Sequence, residues 1–421
     1  MGDVHVITEG MEPEDLFSHI TECRDLHKLN TSNVCHFINM TDACHLSGGF
    51  LDYVYFTYCT LASQFLPLTV TILFLWLAFM FIAIAVAADD FFCPALVVIS
   101  KTLKMSDNLA GVTLLAFGNG AADVFSAIAA ITGSKNGDVS LAFCALLGAG
   151  VFVTTVIAGS VCIIQPFKIM ERPFLRDVIF YTGSVFFTFC ILYDGKITTL
   201  EAIESTPLIK NDEANVAESI SCIKAFLCAI SPVDTLQWKQ SGFISKCIAV
   251  IKGTAKFILC ITVPVVDYGA PNHNWNKILC SIHCVASPVT ALYLTRPELF
   301  LYQIHGVFPV WAVAFICAFL VSLVIIFTSS ASSPPSYHWL FAYVGFIVAV
   351  VWIQCIATEI VNLLQTFGII FDLSNGILGL TLLAWGNSIS DITQLGRIIA
   401  CQLPVPHSIK YYGNCAICAE V

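Results

Sequence analysis

Leu109-Ala-Gly-Val-Thr-Leu-Leu-Ala-Phe-Gly-Asn-Gly-Ala-Ala-Asp123 and Ile377-Leu-Gly-Leu-Thr-Leu-Leu-Ala-Trp-Gly-Asn-Ser-Ile-Ser-Asp391 are two copies of one motif, 268 residues apart. They agree at 8 of 15 positions: Gly111/Gly379, Thr113/Thr381, Leu114/Leu382, Leu115/Leu383, Ala116/Ala384, Gly118/Gly386, Asn119/Asn387 and Asp123/Asp391. Each copy sets an amide and a carboxylate in a stretch otherwise apolar enough for lipid. An ionisable side chain is costly there and marks an ion or substrate path. Runs of small residues in a membrane helix usually mean close packing, but a duplicated Gly-Asn-x3-Asp inside a longer repeat asks for more than packing.

Working outward, the chain is 57% hydrophobic and only 11% charged, against about a quarter charged in soluble domains. It is an all-α polytopic membrane protein in composition. Apolar runs of spanning length, about 20 residues, lie near 66–88, 108–132, 140–165, 175–193, 306–328, 338–358 and 374–390. Two further runs, 243–266 and 278–295, stay open; Lys246, Lys252 and Lys256 make the first read as interfacial or re-entrant. The net charge of −10 argues against a nucleic-acid partner.

The 19 cysteines fall mainly in apolar runs, where they read as small packing residues. Cys23, Cys35, Cys44 and Cys59 differ: they form an even set in the polar stretch before the first run. Four cysteines allow three pairings, among which the sequence does not choose. With the glycosylation patterns Asn30-Thr-Ser32 and Asn39-Met-Thr41 they favour an oxidising, non-cytosolic side for residues 1–65. Lys101, Lys104, Lys168, Arg172 and Arg176, after the first and third runs, put those loops inside and the N-terminus outside. The resulting organisation is an extramembrane region 1–65, a first membrane half 66–194, a connecting region 195–305, a second half 306–400 and a polar tail 401–421.

On a helix, Asn119 and Asp123 share a face, as do Asn387 and Asp391, being four residues apart. Glycines beside them (Gly118, Gly120, Gly386) weaken the helix, and unwound backbone at membrane depth is tolerated where it lines a cavity. Carbonyls, amides, carboxylates and the hydroxyls of Thr113 and Thr381 are hard oxygen ligands suited to calcium or sodium. Inverted repeats would run the Asp123 helix outward and the Asp391 helix inward, provided that the two open runs both cross or both do not. Asp89 and Asp90 read as headgroup-facing, Glu359 with Asn362 as interfacial or a supporting ligand, and Gly148-Ala-Gly150 as packing. No nucleotide, nucleophile or zinc pattern stands out, so neither enzymatic chemistry nor a cofactor is expected.

In these motifs the chain resembles the cation/calcium exchanger superfamily, and within it the mitochondrial sodium/calcium exchanger branch. Asp90-Phe-Phe-Cys-Pro94, Arg172-Pro-Phe-Leu-Arg-Asp177, Thr262-Val-Pro-Val-Val-Asp267 and His338-Trp-Leu-Phe341 extend the likeness over roughly 23–391. The resemblance implies an inverted-repeat antiporter exchanging sodium or lithium for calcium, in the mitochondrial inner membrane. It implies an ion site at Asn119, Asp123, Asn387 and Asp391, with Ser388 beside them. The chain departs from the family at Ala122, where proline is usual, at Ser390, where glycine is usual, and after Lys196-Ile-Thr-Thr-Leu-Glu-Ala202, where a span is expected. The partner of the second motif helix would fall at 409–432, beyond Val421, so the second half is expected to be incomplete. A non-transporting subunit that modulates a full-length exchanger, a potassium- or proton-coupled antiporter, homo-oligomerisation and a plasma or endomembrane location stand as alternatives.

Overall fold

The computed structural model describes residues 23–28, 34–45, 49–60, 65–105, 110, 113–114, 116–134, 139–164, 175, 178–180, 182–183, 185–187, 243–268, 271–304, 308–330, 333–389 and 391. Much of the run at 175–193, residues 195–242 of the connecting region, the pattern at Asn30 and the place of the second motif's partner helix lie outside the described residues. Nearly everything described is helical.

Before the first long helix sits a small cap. It comprises a 3-10 turn Cys23–Lys28, α1 (Val34–Met40), a second turn Asp42–Cys44 and α2 (Tyr53–Tyr55), which continues as a π-helical turn Phe56–Thr60. Disulfides Cys23–Cys44 and Cys35–Cys59 select one of the three pairings. Between them Leu26, Val34, Phe37, Ile38 and Val54 form a core of their own, completed by Ile369 from a distant helix. Asn39, in the second glycosylation pattern, is exposed on α1.

α3 (Leu66–Thr102) starts with Pro67 in its first turn, where a missing N–H costs nothing. Midway it widens into a π-helical segment, Ala87–Phe92, and resumes at Cys93 with Pro94. A proline inside a helix removes one donor and crowds the carbonyl four residues back. The extra residue in the turn relieves both, and the Cys93 N–H reaches Ala88, five residues back. The motif helix follows as α4 (Ala116–Asn119) and α5 (Ala121–Thr132), then α6 (Ser140–Ser160).

α7 (Phe243–Thr262) and α8 (Lys277–Thr295) are continuous helices, followed by α9 (Val310–Thr328) and α10 (Trp339–Phe371). The second motif lies on α11 (375–387). Among the described residues α3, α6, α8, α9 and α10 are long and apolar enough to cross a membrane. The open run at 278–295 thus resolves as α8. At 20 residues α7 is about 30 Å long. Its Lys256 forms an ion pair with Asp90 of the π-helical segment at 3.0 Å.

α3 and α10 lie side by side in opposite directions: Phe74 stacks on Phe367 at 4.4 Å and Phe92 on Phe346 at 5.2 Å. The two halves are therefore inverted. One pole gathers Val98, Val266, Trp275 and Phe341, with the Lys277 ammonium on the Ser329 carbonyl. At the other pole the cap meets α8 through Phe50 and Tyr293, and α10 through Ile369.

Candidate functional site

Both motif helices break at the same register, one residue past the asparagine. Gly120 has φ −84° and ψ 5°, and its counterpart Ser388 has φ −78° and ψ 8°. Negative φ suits any L residue, so serine replaces glycine there without strain. π-helical backbone precedes each break, at Thr113 and Leu114 in the first copy and at Gly379–Leu383 in the second.

Close approach to neighbours holds these helices. A Cβ on Gly118 would stand 2.9 Å from the Cys93 sulfur, and one on its counterpart Gly386 2.0 Å from the Phe81 ring. Both copies therefore dock on α3, on either side of its π-helical segment. On the far side, a Cβ on Gly148 of α6 would lie 2.4 Å from the Leu380 carbonyl oxygen, and one on Gly379 2.3 Å from that of Leu141. Gly148 is a packing residue, as its sequence context suggests.

The breaks bring the polar pairs together crosswise. Asn119 Nδ2 donates to Asp391 Oδ1 at 3.0 Å, and Asn387 Nδ2 donates to Asp123 Oδ1 at 3.1 Å. Each asparagine thus holds the carboxylate of the other repeat, although 264 and 272 residues separate the partners. Ser126 adds a third bond, its hydroxyl donating to Asn387 Oδ1 at 3.2 Å. The two arms differ in solvation. Asn387 and Ser126 are 4% and 0% exposed, whereas Asn119 is exposed, and both aspartates are half-buried.

Of the seven candidate residues, Asn119, Asp123, Asn387 and Asp391 form this crossing. Thr381 donates to the Ile377 carbonyl and Ser388 to the Ala384 carbonyl, each within its own helix, so their oxygens keep acceptor capacity alone. Thr113 lies half-buried in the first π-helical turn. Ser126 was not among the candidates. Its signal is spacing: it lies three residues past Asp123, on the same helical face.

Glu359 serves a different contact. Its carboxylate, 2% exposed on α10, accepts from the Phe50 N–H and from the Tyr53 hydroxyl, which in turn accepts from Trp76 Nε1 at 3.1 Å. The acid that read as interfacial or supporting is thus the anchor for the cap.

Comparison with known proteins fits this geometry. The family model described as sodium/calcium exchanger protein matches residues 73–206 and 341–394, which contain both motifs. A mitochondrial sodium/calcium exchanger protein of Gallus gallus is 38% identical over 433 residues, covering 88% of this chain and 73% of the relative. The chain belongs to the sodium/calcium exchanger family. Within the family, a Homo sapiens mitochondrial sodium/calcium exchanger protein is likewise 38% identical, over 88% of this chain and 72% of its own length. More distant is cation/calcium exchanger 1 of Arabidopsis thaliana, at 29% identity over 85% of this chain and 68% of its own length. No solved structure gives a significant match.

Proposed function

We propose that this exchanger is a secondary antiporter that carries calcium against sodium or lithium across the mitochondrial inner membrane, and that Asn119, Asp123, Asn387 and Asp391 form its ion site. The crossed Asn–Asp arrangement carries the reading: two carboxylates, one from each inverted half, converge where both helices break. Two negative charges balance one divalent ion or two monovalent ions. A half-buried pair with no cation is costly, so reorientation favours the loaded site, and exchange follows in preference to leak.

The oxygen set fits hard cations: carboxylates, amide carbonyls, and the lone pairs of Thr381, Ser388 and Thr113 nearby in sequence. Among the described residues there is no group of three or more His, Cys, Asp or Glu that could hold a metal ion, so the proposed site has two carboxylates completed by neutral oxygens. Covalent chemistry has no part in this mechanism. The mitochondrial relatives support the location, and the disulfide-bonded cap supports an oxidising outer side for the N-terminus.

The test is sodium-dependent calcium uptake by the purified chain in liposomes. Asp123→Asn removes one of the two charges and abolishes uptake; full flux in that variant would overturn the site.

A further inference from the structure

Asn387 presents its amino group to Asp123 and its carbonyl oxygen to Ser126. An amino group on the carboxylate competes with a cation for the same oxygen. For Asn387 to ligate a cation beside Asp123 its oxygen must point there. The carboxamide must therefore turn over, and its amino group then faces Ser126. At an exposed position water would satisfy the atom turned away. Asn387 and Ser126 are buried, and there an unpaired polar atom is expensive.

Resting on the ion site proposed above, we propose that Ser126 is the pivot of this turn, donating to the Asn387 oxygen in one orientation and accepting from its amino group in the other. Serine suits the task because a hydroxyl is both donor and acceptor. A purely donating side chain would lock one orientation, and an apolar one would leave both unpaired. In sequence, the position equivalent to Ser126 in the second repeat is Gln394, so the two repeats differ in residue type at this place. Ser126 is thus a positioning residue that acts on the cation through Asn387.

Removing the hydroxyl weakens the loaded state more than the other. With its oxygen on a cation, the Asn387 amino group is a more positive donor, and bonds to charged groups are worth more than neutral ones. Ser126→Ala is expected to raise the KM for calcium about fivefold, with kcat changed less than about twofold. Ser126→Thr, which restores the hydroxyl, is expected to return KM toward wild type.

The deciding experiment is a double-mutant cycle on the full chain in detergent, reading stabilisation by added calcium for wild type, Ser126→Ala, Asn387→Ala and the pair. The single serine variant loses part of the calcium-induced shift in Tm. In the Asn387→Ala background the serine change does nothing further. Equal losses in both backgrounds, or an unchanged KM in Ser126→Ala, overturn the pivot. If Ser126→Ala does not fold, Ser126→Cys, close in size with a weak acceptor, must show the raised KM; a wild-type KM there also overturns it. A wild-type chain that calcium stabilises but that carries none in liposomes refutes exchange and leaves the Ser126–Asn387 coupling to be read from the cycle.

Discussion

Replacing Gly148 by alanine tests the packing that holds the second motif in place, without touching any polar atom of the site. The added Cβ would stand 2.4 Å from the Leu380 carbonyl oxygen and 2.8 Å from the Ala384 Cβ, where ordinary contact begins at 3.4 Å. α6 and α11 must therefore part by about 1 Å, because the nearest obstacle is backbone and has no rotamer to change. Overpacking of this kind costs about 1–3 kcal/mol. Gly379→Ala meets the same obstacle from the other helix, 2.3 Å from the Leu141 carbonyl oxygen. Once the helices have parted for one substitution the second adds little, so the pair is less than additive. Gly159→Ala, where nothing lies within 4 Å, is the control and leaves Tm unchanged or slightly raised. The assay is Tm of the purified chain in detergent beside calcium uptake in liposomes. Both fall together in Gly148→Ala, since Leu380 and Ala384 lie on the helix that presents Asn387. A Gly148→Ala protein as stable and active as the Gly159→Ala control would refute the close approach.

Three further outcomes are expected. Tyr53→Phe removes one of the two donors on the buried Glu359 carboxylate and costs about 1–3 kcal/mol, read as lower stability in denaturant; wild-type stability would show that the cap does not need this bond. Lys256→Met leaves Asp90 without its ion-pair partner, so Lys256→Met with Asp90→Leu is less damaging than the two single losses summed; strict additivity of the Tm changes would dismiss the pair. His338, packed edge-on against Trp275 at 5.0 Å just outside α10, has its pKa lowered to about 4 by burial and then by the nearby His273. Its folded pKa lies below the unfolded value, so stability is intact above about pH 6.5 and is lost as pH falls toward 4, by up to about 3 kcal/mol. His338→Phe flattens Tm across that window, and an unchanged slope would assign the acid sensitivity elsewhere.

The motif could be read from the chain because its repeat is long and its residues lie four apart on one face. Inversion of the halves could be inferred only with a condition attached, and the stacking of Phe74 on Phe367 and Phe92 on Phe346 supplies what periodicity lacks. The features that stayed hidden are pairings across the chain. The pairing of Lys256 on α7 with Asp90 on α3 could not be read from the sequence, because 166 residues separate the two partners. Glu359 likewise could not be assigned while its donors lay in a different region. The crossing of Asn119 to Asp391 and Asn387 to Asp123 follows from tertiary placement, since each of these bonds joins an asparagine of one motif to the carboxylate of the other.

The cap also fixes an order of events in biosynthesis. Phe50 and Tyr53 leave the ribosome before Glu359, from which 309 and 306 residues separate them, and Arg24 precedes its partner Asn375 by 351. The disulfides span only 21 and 24 residues, so they can close as soon as the segment reaches an oxidising compartment. The cap thus precedes in the chain the elements on which it sits, and a cap that has closed its disulfides stays unseated until α10 and the start of α11 are in place.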